Sequence, residues 1–174
     1  MQIEDAFSVI VERGIVGSVE SPDTLVSRGD AIVMLYKVAG NPAFRPVWDP
    51  PFQDVPPWHR CYIPLAYAYS VFSAGQHSFL RPQTFSPDDY LTNEVAAVWS
   101  HAFLGVKSEA EILDTGELVI ASTYLDAQHG DSVEWAVSRG ALGSTNGIVD
   151  PSEWITYEFF ARLLYLVARS RGRS

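Results

Sequence analysis

The chain has one cysteine, no long apolar run and a shortage of positive charge, and each of these narrows what it can be. The single cysteine, Cys61, cannot form an internal disulfide or build a cysteine-based metal site. No stretch approaches the roughly 18 consecutive apolar residues of a membrane-spanning helix, so we expect no insertion into a membrane. Residues 1–5 lack the basic start and apolar centre of a signal peptide. The sequence therefore indicates either a cytoplasmic protein or a segment of a longer exported chain.

Acidic residues outnumber basic ones by 21 to 12, which gives a net charge of −9. Proteins that bind nucleic acid usually present a basic stripe, so we expect no nucleic-acid partner. With 47% hydrophobic and 19% charged residues, the 174-residue chain has the composition of a globular domain rather than of a disordered tail. The basic cluster near the C-terminus is explained by the dipole of a helix end, and it consists of Arg162, Arg169, Arg171 and Arg173.

Motifs of catalysis and cofactor binding are missing. No Gly-x-Ser-x-Gly elbow, phosphate-binding loop or dinucleotide-binding glycine motif occurs. A glycosidase needs two carboxylates facing each other across a sugar, and although Asp88 with Asp89, or Asp54 with Asp126, could be named, turn and cap roles explain them better. We therefore expect no enzyme, no cofactor and no metal. The histidines also lack the spacing of metal ligands, and they are His59, His77, His101 and His129.

One short signature occurs three times in the chain. Each copy has a proline, an aliphatic residue four places later, a hydroxyl residue next, and then an apolar helical run. The prolines are Pro22, Pro87 and Pro151, so the copies are 65 and 64 residues apart. A pattern that recurs in register indicates an internal repeat. The copies read Ser21-Pro22-Asp23-Thr24-Leu25-Val26-Ser27-Arg28, Ser86-Pro87-Asp88-Asp89-Tyr90-Leu91-Thr92-Asn93 and Asp150-Pro151-Ser152-Glu153-Trp154-Ile155-Thr156-Tyr157.

The spacing of apolar residues around the signatures predicts helices and no convincing strand. Ser27 and Thr92 are expected to cap the helices that follow them, with Asp30 in the position of a capping-box acid. A helix that ends near residue 73 should begin after Pro64 or bend there. A less regular helix is expected over residues 109–123. Glycines should end the helices, namely Gly14, Gly40, Gly75, Gly105 and Gly140.

We therefore predict an all-α fold in one domain, residues 1–174, built from three helix–loop–helix repeats. Repeat one takes residues 1–40, repeat two 52–105, and repeat three 106–174 with an insertion near 106–125. A proline-rich connector, residues 41–51, separates the first two repeats. Each unit alone is too small to hide its apolar stripe, so the three should bury a shared core. The last helix is the most apolar and should be the best buried.

Four kinds of short stretch resemble the motifs of one known family. Residues 26–40 match an Ile-Thr-Arg-Ala-Glu motif and the helix after it, with Arg28 as the motif arginine. Together these stretches make the chain resemble three tandem S-layer homology (SLH) repeats. The other matching stretches are Phe52-Gln53-Asp54-Val55-Pro56 (Phe-x-Asp-Val-Pro), Thr84-Phe85-Ser86-Pro87 (Thr-Phe-x-Pro), and the glycine turns Gly14-Ile15-Val16-Gly17 and Gly140-Ala141-Leu142-Gly143.

The resemblance implies a non-catalytic module of the bacterial cell surface. Modules of this family belong to exported proteins of Gram-positive and related bacteria, which they hold noncovalently to a secondary cell-wall polysaccharide. That polymer is anionic and often carries pyruvylated N-acetylmannosamine. The three repeats form a pseudo-threefold helical spindle, and the ligand lies in grooves between repeats. The expected partners are therefore the wall polysaccharide and other domains of a longer surface protein.

The resemblance also implies which residues contact the glycan. The motif arginine, Arg28, should pair with a sugar carboxylate, and the helix N-terminus beside it should add backbone N–H donors. Trp48 and Trp58 lie near prolines and should be partly exposed for sugar stacking, whereas core packing explains Trp135 better. The expected ligand-binding residues are Arg28, Ser27, Gly14, Gly17, Asp54, Trp58, Gly75, Thr92, Asn93, Trp135, Gly140 and Tyr157.

The copies differ at the arginine position, where the second has Asn93 and the third Tyr157. Asparagine can bond to sugar hydroxyls and tyrosine can stack on a sugar, but neither replaces the ion pair. We therefore expect one strong groove, at Arg28, and two weakened ones. Two alternatives remain: a degenerate SLH scaffold for protein–protein contact or a structural role without glycan binding, and, ranked third, an enzyme of carbohydrate metabolism.

Overall fold

A computed structural model describes residues 2–16, 21–42, 52–72, 84–104, 130–142 and 149–171. These ranges contain six α-helices and no β-strand, so the prediction of an all-α fold is confirmed for them. None of these helices is both long enough and apolar enough to cross a membrane. The helix expected over residues 109–123 lies outside the described residues. The helices are α1 (Ala6–Glu12, after a 3-10 turn at Ile3–Asp5), α2 (Arg28–Val38), α3 (Tyr62–Phe72), α4 (Asn93–Leu104), α5 (Gly130–Ser138) and α6 (Tyr157–Arg171).

Local signals in the sequence set the starts of α2 and α4. The Ser27 hydroxyl accepts the N–H of Asp30 at 3.1 Å, and the Thr92 hydroxyl accepts the N–H of Val95 at 3.2 Å. Both predicted caps are therefore confirmed, because each satisfies an amide that has no partner inside its helix. Three of the glycines that should end helices have a positive φ, as a left-handed C-terminal stop requires, and they are Gly14 (69°), Gly40 (94°) and Gly140 (70°).

One of the two alternatives for Pro64 is wrong. The helix does not begin after Pro64, because α3 starts at Tyr62 and holds Pro64 in its first turn. A proline is tolerated there since its missing N–H would have no partner inside the helix. The first intrahelical bond of α3 instead runs from the N–H of Leu65 to the carbonyl of Cys61, at 2.9 Å.

The three signatures meet in a closed set of backbone hydrogen bonds, which we call the signature ring. Val26 donates to Ile155 (3.1 Å), Ile155 donates to Leu91 (2.8 Å), and Leu91 donates to Val26 (2.8 Å). The three side chains are at most 1% exposed. Their apolar groups therefore lie in the core, while the ring satisfies backbone groups that would otherwise be buried without partners.

The first two amides of α2, α4 and α6 are also bonded outside their own helices. Each pair donates to two carbonyls in the turn of another signature, so each of these helix starts is bonded to a segment distant in sequence. The bonds are Arg28 N–H to Asp89 (2.8 Å), Gly29 N–H to Pro87 (2.8 Å), Asn93 N–H to Glu153 (2.8 Å), Glu94 N–H to Pro151 (3.0 Å), Tyr157 N–H to Thr24 (2.9 Å) and Glu158 N–H to Pro22 (3.0 Å).

Glycine is needed at the second residue of α2. A Cβ at Gly29 would lie 3.0 Å from three atoms: Nη2 of Arg60, Sγ of Cys61 and the carbonyl oxygen of Pro87. Because that carbonyl accepts the Gly29 N–H, it cannot withdraw without breaking the helix-start contact. The close approach of backbone, rather than an unusual φ, therefore explains this glycine.

Each helix that follows a signature packs on one of the other three helices. α2 packs on α3, α4 on α5, and α6 on α1, while α2, α4 and α6 also contact one another. The prediction that the last helix would be the most apolar and the best buried is wrong, because α6 carries four charged residues where α3 carries none, and a larger share of α4 is buried. The inward face of α6 still has five fully inaccessible side chains: Phe160, Ala161, Leu163, Leu164 and Val167. This packing brings the three signatures to one end of the bundle.

Candidate functional site

A cleft of about 750 Å³ lies where the three signatures meet, and we call it the Arg28 cleft. The first signature contributes Arg28, at the start of α2, to its lining. The second signature gives the turn before α4 and the first residues of that helix, and the third signature gives Ser152 and Trp154. Its volume is in the usual range of small-molecule sites, about 300–1,000 Å³.

Arg28 lines the cleft and also belongs to the fold. Its guanidinium carbon lies 5.1 Å from the ring centroids of both Phe85 and Trp99. Its Nε–H donates to the carbonyl oxygen of Phe85 at 2.9 Å. Cation–π contacts of this kind stabilise a charged group that is partly removed from water. The arginine is therefore fixed in position, with part of its binding capacity already used by the protein.

Two aromatic side chains stand at the cleft, Tyr90 and Trp154. They are 49% and 50% exposed, and their ring centroids are 6.0 Å apart at an interplanar angle of 59°. Each precedes a ring residue, Leu91 or Ile155, whose side chain is buried. Successive side chains of an extended segment point to opposite sides, so burial of one directs its neighbour outward. The sequence analysis did not identify this pair as part of a site. The alternation of an exposed aromatic residue with a buried aliphatic one in two of the signatures is the pattern that could have indicated it.

Three carboxylates share the cleft with Arg28. Asp88 and Asp89 belong to the turn before α4, and Glu94 is in the first turn of that helix. Turn and cap roles were expected for Asp88 and Asp89, and no local pattern placed any of the three carboxylates beside Arg28. The described lining therefore holds one guanidinium and three carboxylates, which makes it acidic as a whole.

The backbone donors expected at the start of α2 are not available to a ligand, so this prediction is wrong. The N–H groups of Arg28 and Gly29 donate to the carbonyls of Asp89 and Pro87, and that of Asp30 donates to the Ser27 hydroxyl. A helix N-terminus binds anions through amides that have no other partner. Here each of these amides already donates to another group of the protein.

The residues at the Arg28 position of the other two signatures are buried. Asn93 is 7% exposed and its side-chain amide donates to the carbonyl of Asp150 at 3.1 Å. Tyr157 is 4% exposed and its hydroxyl donates to Asp30 Oδ2 at 3.2 Å. Their role in ligand binding stays a prediction, but little of either side chain is left for a ligand to contact.

Asp54 holds one wall of the cleft in place. Its Oδ1 accepts the N–H of Phe85 at 2.9 Å and its Oδ2 accepts the N–H of Ser86 at 2.8 Å. Ser86 has a φ of 58°, which a non-glycine residue adopts only when its surroundings enforce it. Both carboxylate oxygens therefore act on the backbone of the turn, and Asp54 positions the site rather than lining it.

The other predicted binding residues lie elsewhere or outside the described residues. Trp58 is 83% exposed, as its surroundings in the sequence predicted, but it does not line the cleft. Trp135 stacks on His101 with centroids 4.9 Å apart. Ser27 and Thr92 act as helix caps, although Thr92 also reaches the cleft, and Gly14 and Gly140 end helices. Gly17, Gly75 and Trp48 are outside the described residues.

A second cavity, between α2 and the turn after α1, has a volume of only about 180 Å³. The Asp30 carboxylate borders it, pairs with Arg60 at 2.9 Å and accepts the Tyr157 hydroxyl. This contact links α2 to the start of α6. The cavity is below the size of ordinary ligand pockets, so the Arg28 cleft is the better candidate.

The described residues were searched for side chains that could bind a metal ion and for a reactive thiol. No group of three or more His, Cys, Asp or Glu side chains there could hold a metal ion. The Cys61 side chain is 0% exposed, and its Sγ lies 3.5 Å from the Gly29 carbonyl oxygen. Burial raises the pKa of this thiol from 9.0 to about 11. Because the thiolate is the reactive form, Cys61 is a packing residue rather than a nucleophile.

Cys61 should therefore react slowly while the chain is folded. We expect labelling by a disulfide reagent at pH 8 to be at least about 100-fold slower in buffer than in denaturant, because burial and the raised pKa both reduce the accessible thiolate. As Cys61 is the chain's single cysteine, absorbance of the released thiol reports it alone. Equal rates in the two conditions would contradict the packing described here.

Comparison with known proteins adds no family assignment. The chain matches no protein-family model, and no curated protein matches it.

Proposed function

We propose that this chain is a non-catalytic cell-envelope module that binds a cell-wall polysaccharide in the Arg28 cleft. The observation that carries the proposal is the pair of half-exposed aromatic rings, Tyr90 and Trp154, beside an arginine and three carboxylates in a cleft of about 750 Å³. Aromatic faces stack on the apolar faces of sugars, and charged groups form strong hydrogen bonds with hydroxyls. This combination suits a saccharide better than a wholly apolar ligand.

The proposal includes a three-repeat, pseudo-threefold arrangement of the SLH type. Two observations support it. The signature ring closes through one bond from each copy, and the packing of α2 on α3, α4 on α5 and α6 on α1 returns to its starting unit. The cleft then lies between repeats, which is where the family resemblance implies that glycan binds.

The lining supports binding rather than catalysis. All three of its carboxylates come from the second signature and the helix after it, while its described residues from the other two signatures are Arg28, Ser152 and Trp154. A glycosidase instead holds an acid and a second carboxylate on either side of the bond it cleaves. The surface location follows from the same proposal: the chain would serve as a wall-binding part of an exported bacterial protein.

Sedimentation with purified cell walls of a Gram-positive bacterium tests the proposal. We expect the wild-type chain to bind and Trp154→Ala to bind about 2- to 12-fold more weakly, because a stacked aromatic ring commonly contributes about 0.5–1.5 kcal/mol. Val137→Ala is the control, since it also shortens an apolar side chain that is exposed (43%) but does not line the cleft. Arg28→Ala should weaken binding too, and its thermal unfolding must be measured because Arg28 packs on Phe85 and Trp99.

Two results would overturn this function. The first is no retention of the wild-type chain on walls. The second is equal retention of Trp154→Ala and the wild type, which would place binding outside the cleft. Loss of binding in Trp58→Ala alone would assign the contact to that tryptophan, in agreement with the sequence-based prediction and against the cleft.

A protein–protein scaffold is the second candidate, and the exposure of Trp58 favours it. A tryptophan that is 83% exposed resembles the anchors of protein interfaces. Only the first signature has the arginine, and the residues at its position in the other two, Asn93 and Tyr157, are buried. Binding to walls that is lost after protease treatment of the walls, but kept after extraction of their polysaccharide, would establish this candidate in place of the first.

A further inference from the structure

We infer that the Arg28 cleft selects an uncharged sugar and rejects one that carries an acidic substituent. This inference rests on the proposed function and reverses the charge preference that the family resemblance implies. It rests on three features of the cleft: the charges of its lining, its backbone N–H donors that are already bonded, and its exposed aromatic rings.

The charge of the lining opposes an acidic ligand. Arg28 faces three carboxylates in the same cleft, those of Asp88, Asp89 and Glu94. Asp88 and Asp89 are exposed and line the cleft, so their charges lie beside the space that a ligand would enter. A sugar carboxylate there would approach more negative than positive groups, and like charges brought together at an interface suppress binding of the wrong partner.

The donors that could compensate an acidic group are already engaged. At the start of α2, the amides of Arg28, Gly29 and Asp30 donate within the protein. The start of α4 is similar, since the Asn93 and Glu94 amides bond to Glu153 and Pro151, and that of Val95 to Thr92 Oγ1. Anion sites at helix starts depend on amides of this kind. Neither helix that borders the cleft offers its first three.

The arginine is also partly committed. Its Nε–H donates to the Phe85 carbonyl oxygen, and its guanidinium packs on the rings of Phe85 and Trp99. A bidentate pair with a carboxylate uses two N–H groups in one plane, and a fixed guanidinium can form it only where the ligand matches its orientation. One constrained arginine therefore compensates only part of the negative charge of three carboxylates.

What the cleft does offer fits a neutral sugar. Carboxylates accept hydrogen bonds from hydroxyl groups, which a hexose or an N-acetylhexosamine presents in number. The Tyr90 and Trp154 rings are half-exposed and can stack on the C–H face of the sugar ring. Recognition would therefore rest on hydroxyl donors and ring stacking, with no need for an ion pair.

The test compares one soluble wall polysaccharide in two forms, with its pyruvate ketals and after their removal by mild acid. Binding of the full chain to each form is measured by calorimetry at about 0.05 M salt, where charge effects are least screened. We expect the depyruvylated form to bind at least about fivefold tighter, since like-charge repulsion is removed. In the double variant Asp88→Asn/Asp89→Asn this ratio should shrink towards unity.

A matched control removes the same amount of charge away from the cleft. Asp23→Asn/Glu134→Gln replaces two exposed acids that do not line it, so the ratio should remain that of the wild type. Unfolding temperatures equal to that of the wild type show that both double variants keep the fold.

Each outcome decides the inference. Tighter binding of the pyruvylated form overturns it and restores the anionic ligand. A ratio that Asp88→Asn/Asp89→Asn leaves unchanged, or that Asp23→Asn/Glu134→Gln reduces equally, overturns the role of the cleft carboxylates. Binding to neither form overturns the proposed function itself, which is a different pattern from a reversed preference.

Discussion

Trp99→Ala is expected to lower the free energy of unfolding by about 3–5 kcal/mol, the usual cost of removing a fully buried tryptophan. Trp99 is 0% exposed on α4. Its ring stacks on Phe85 with centroids 5.7 Å apart, and the Arg28 guanidinium lies 5.1 Å from its centroid. Truncation leaves a cavity beside both groups, so the wall of the cleft should loosen together with the core. Denaturant unfolding followed by circular dichroism measures the change.

Two comparisons sharpen the result for Trp99. Trp58→Ala changes the same residue type at an 83% exposed position and should alter stability by no more than about 0.5 kcal/mol. Trp99→Phe should cost less than alanine, because it keeps an aromatic ring and removes an indole N–H that has no hydrogen-bond partner among the described residues. Equal losses for Trp58→Ala and Trp99→Ala would refute the burial assigned to α4.

Asp54→Ala is expected to cost about 2–4 kcal/mol, because it removes two charge-assisted hydrogen bonds to backbone amides. Those bonds, to Phe85 and Ser86, hold a turn in which Ser86 has a φ of 58°. Without the carboxylate that conformation loses its support. Hydrogen exchange should show the Phe85 and Ser86 amides protected in the wild type and exchanging faster in the variant.

Binding should respond to Asp54 only through the turn. We expect Asp54→Ala to weaken saccharide binding even though the side chain does not line the cleft, and Asp54→Asn to have an intermediate effect because its amide keeps one acceptor. Asp23→Ala, an exposed acid in the first signature, is the control for both stability and exchange. Unchanged exchange at Phe85 and Ser86 in Asp54→Ala would show that the turn does not depend on this carboxylate.

The parts of the structure that follow from the sequence are those set by neighbours along the chain. Ser27 and Thr92 cap α2 and α4 because a hydroxyl at that position bonds an amide three residues later. Gly40 and Gly140 end helices because only glycine adopts a positive φ without strain. Pro64 shows the limit of such rules, since the sequence identifies an unusual helix position but not whether it lies in the first turn or before it.

The candidate site depends on contacts between residues far apart in sequence. Arg28 was singled out from local sequence, yet its contacts with Phe85 and Trp99 join the start of α2 to the turn before α4 and to α4 itself, and they decide how much of the guanidinium a ligand can use. Tyr90 and Trp154 are 64 residues apart in sequence and become one surface only through the signature ring. No local pattern encodes such a pairing.

The sequence by itself determined that the described chain is helical, where its capped helices begin, and that one signature recurs three times. Only the tertiary structure decided that the amides at the α2 start are occupied, that Asn93 and Tyr157 are buried, and that Arg28 shares its cleft with three carboxylates. The physical reason is the separation along the sequence of the residues that interact. Helix caps and stops act over three or four residues, whereas the charge and shape of a cleft are sums over side chains that only packing brings together.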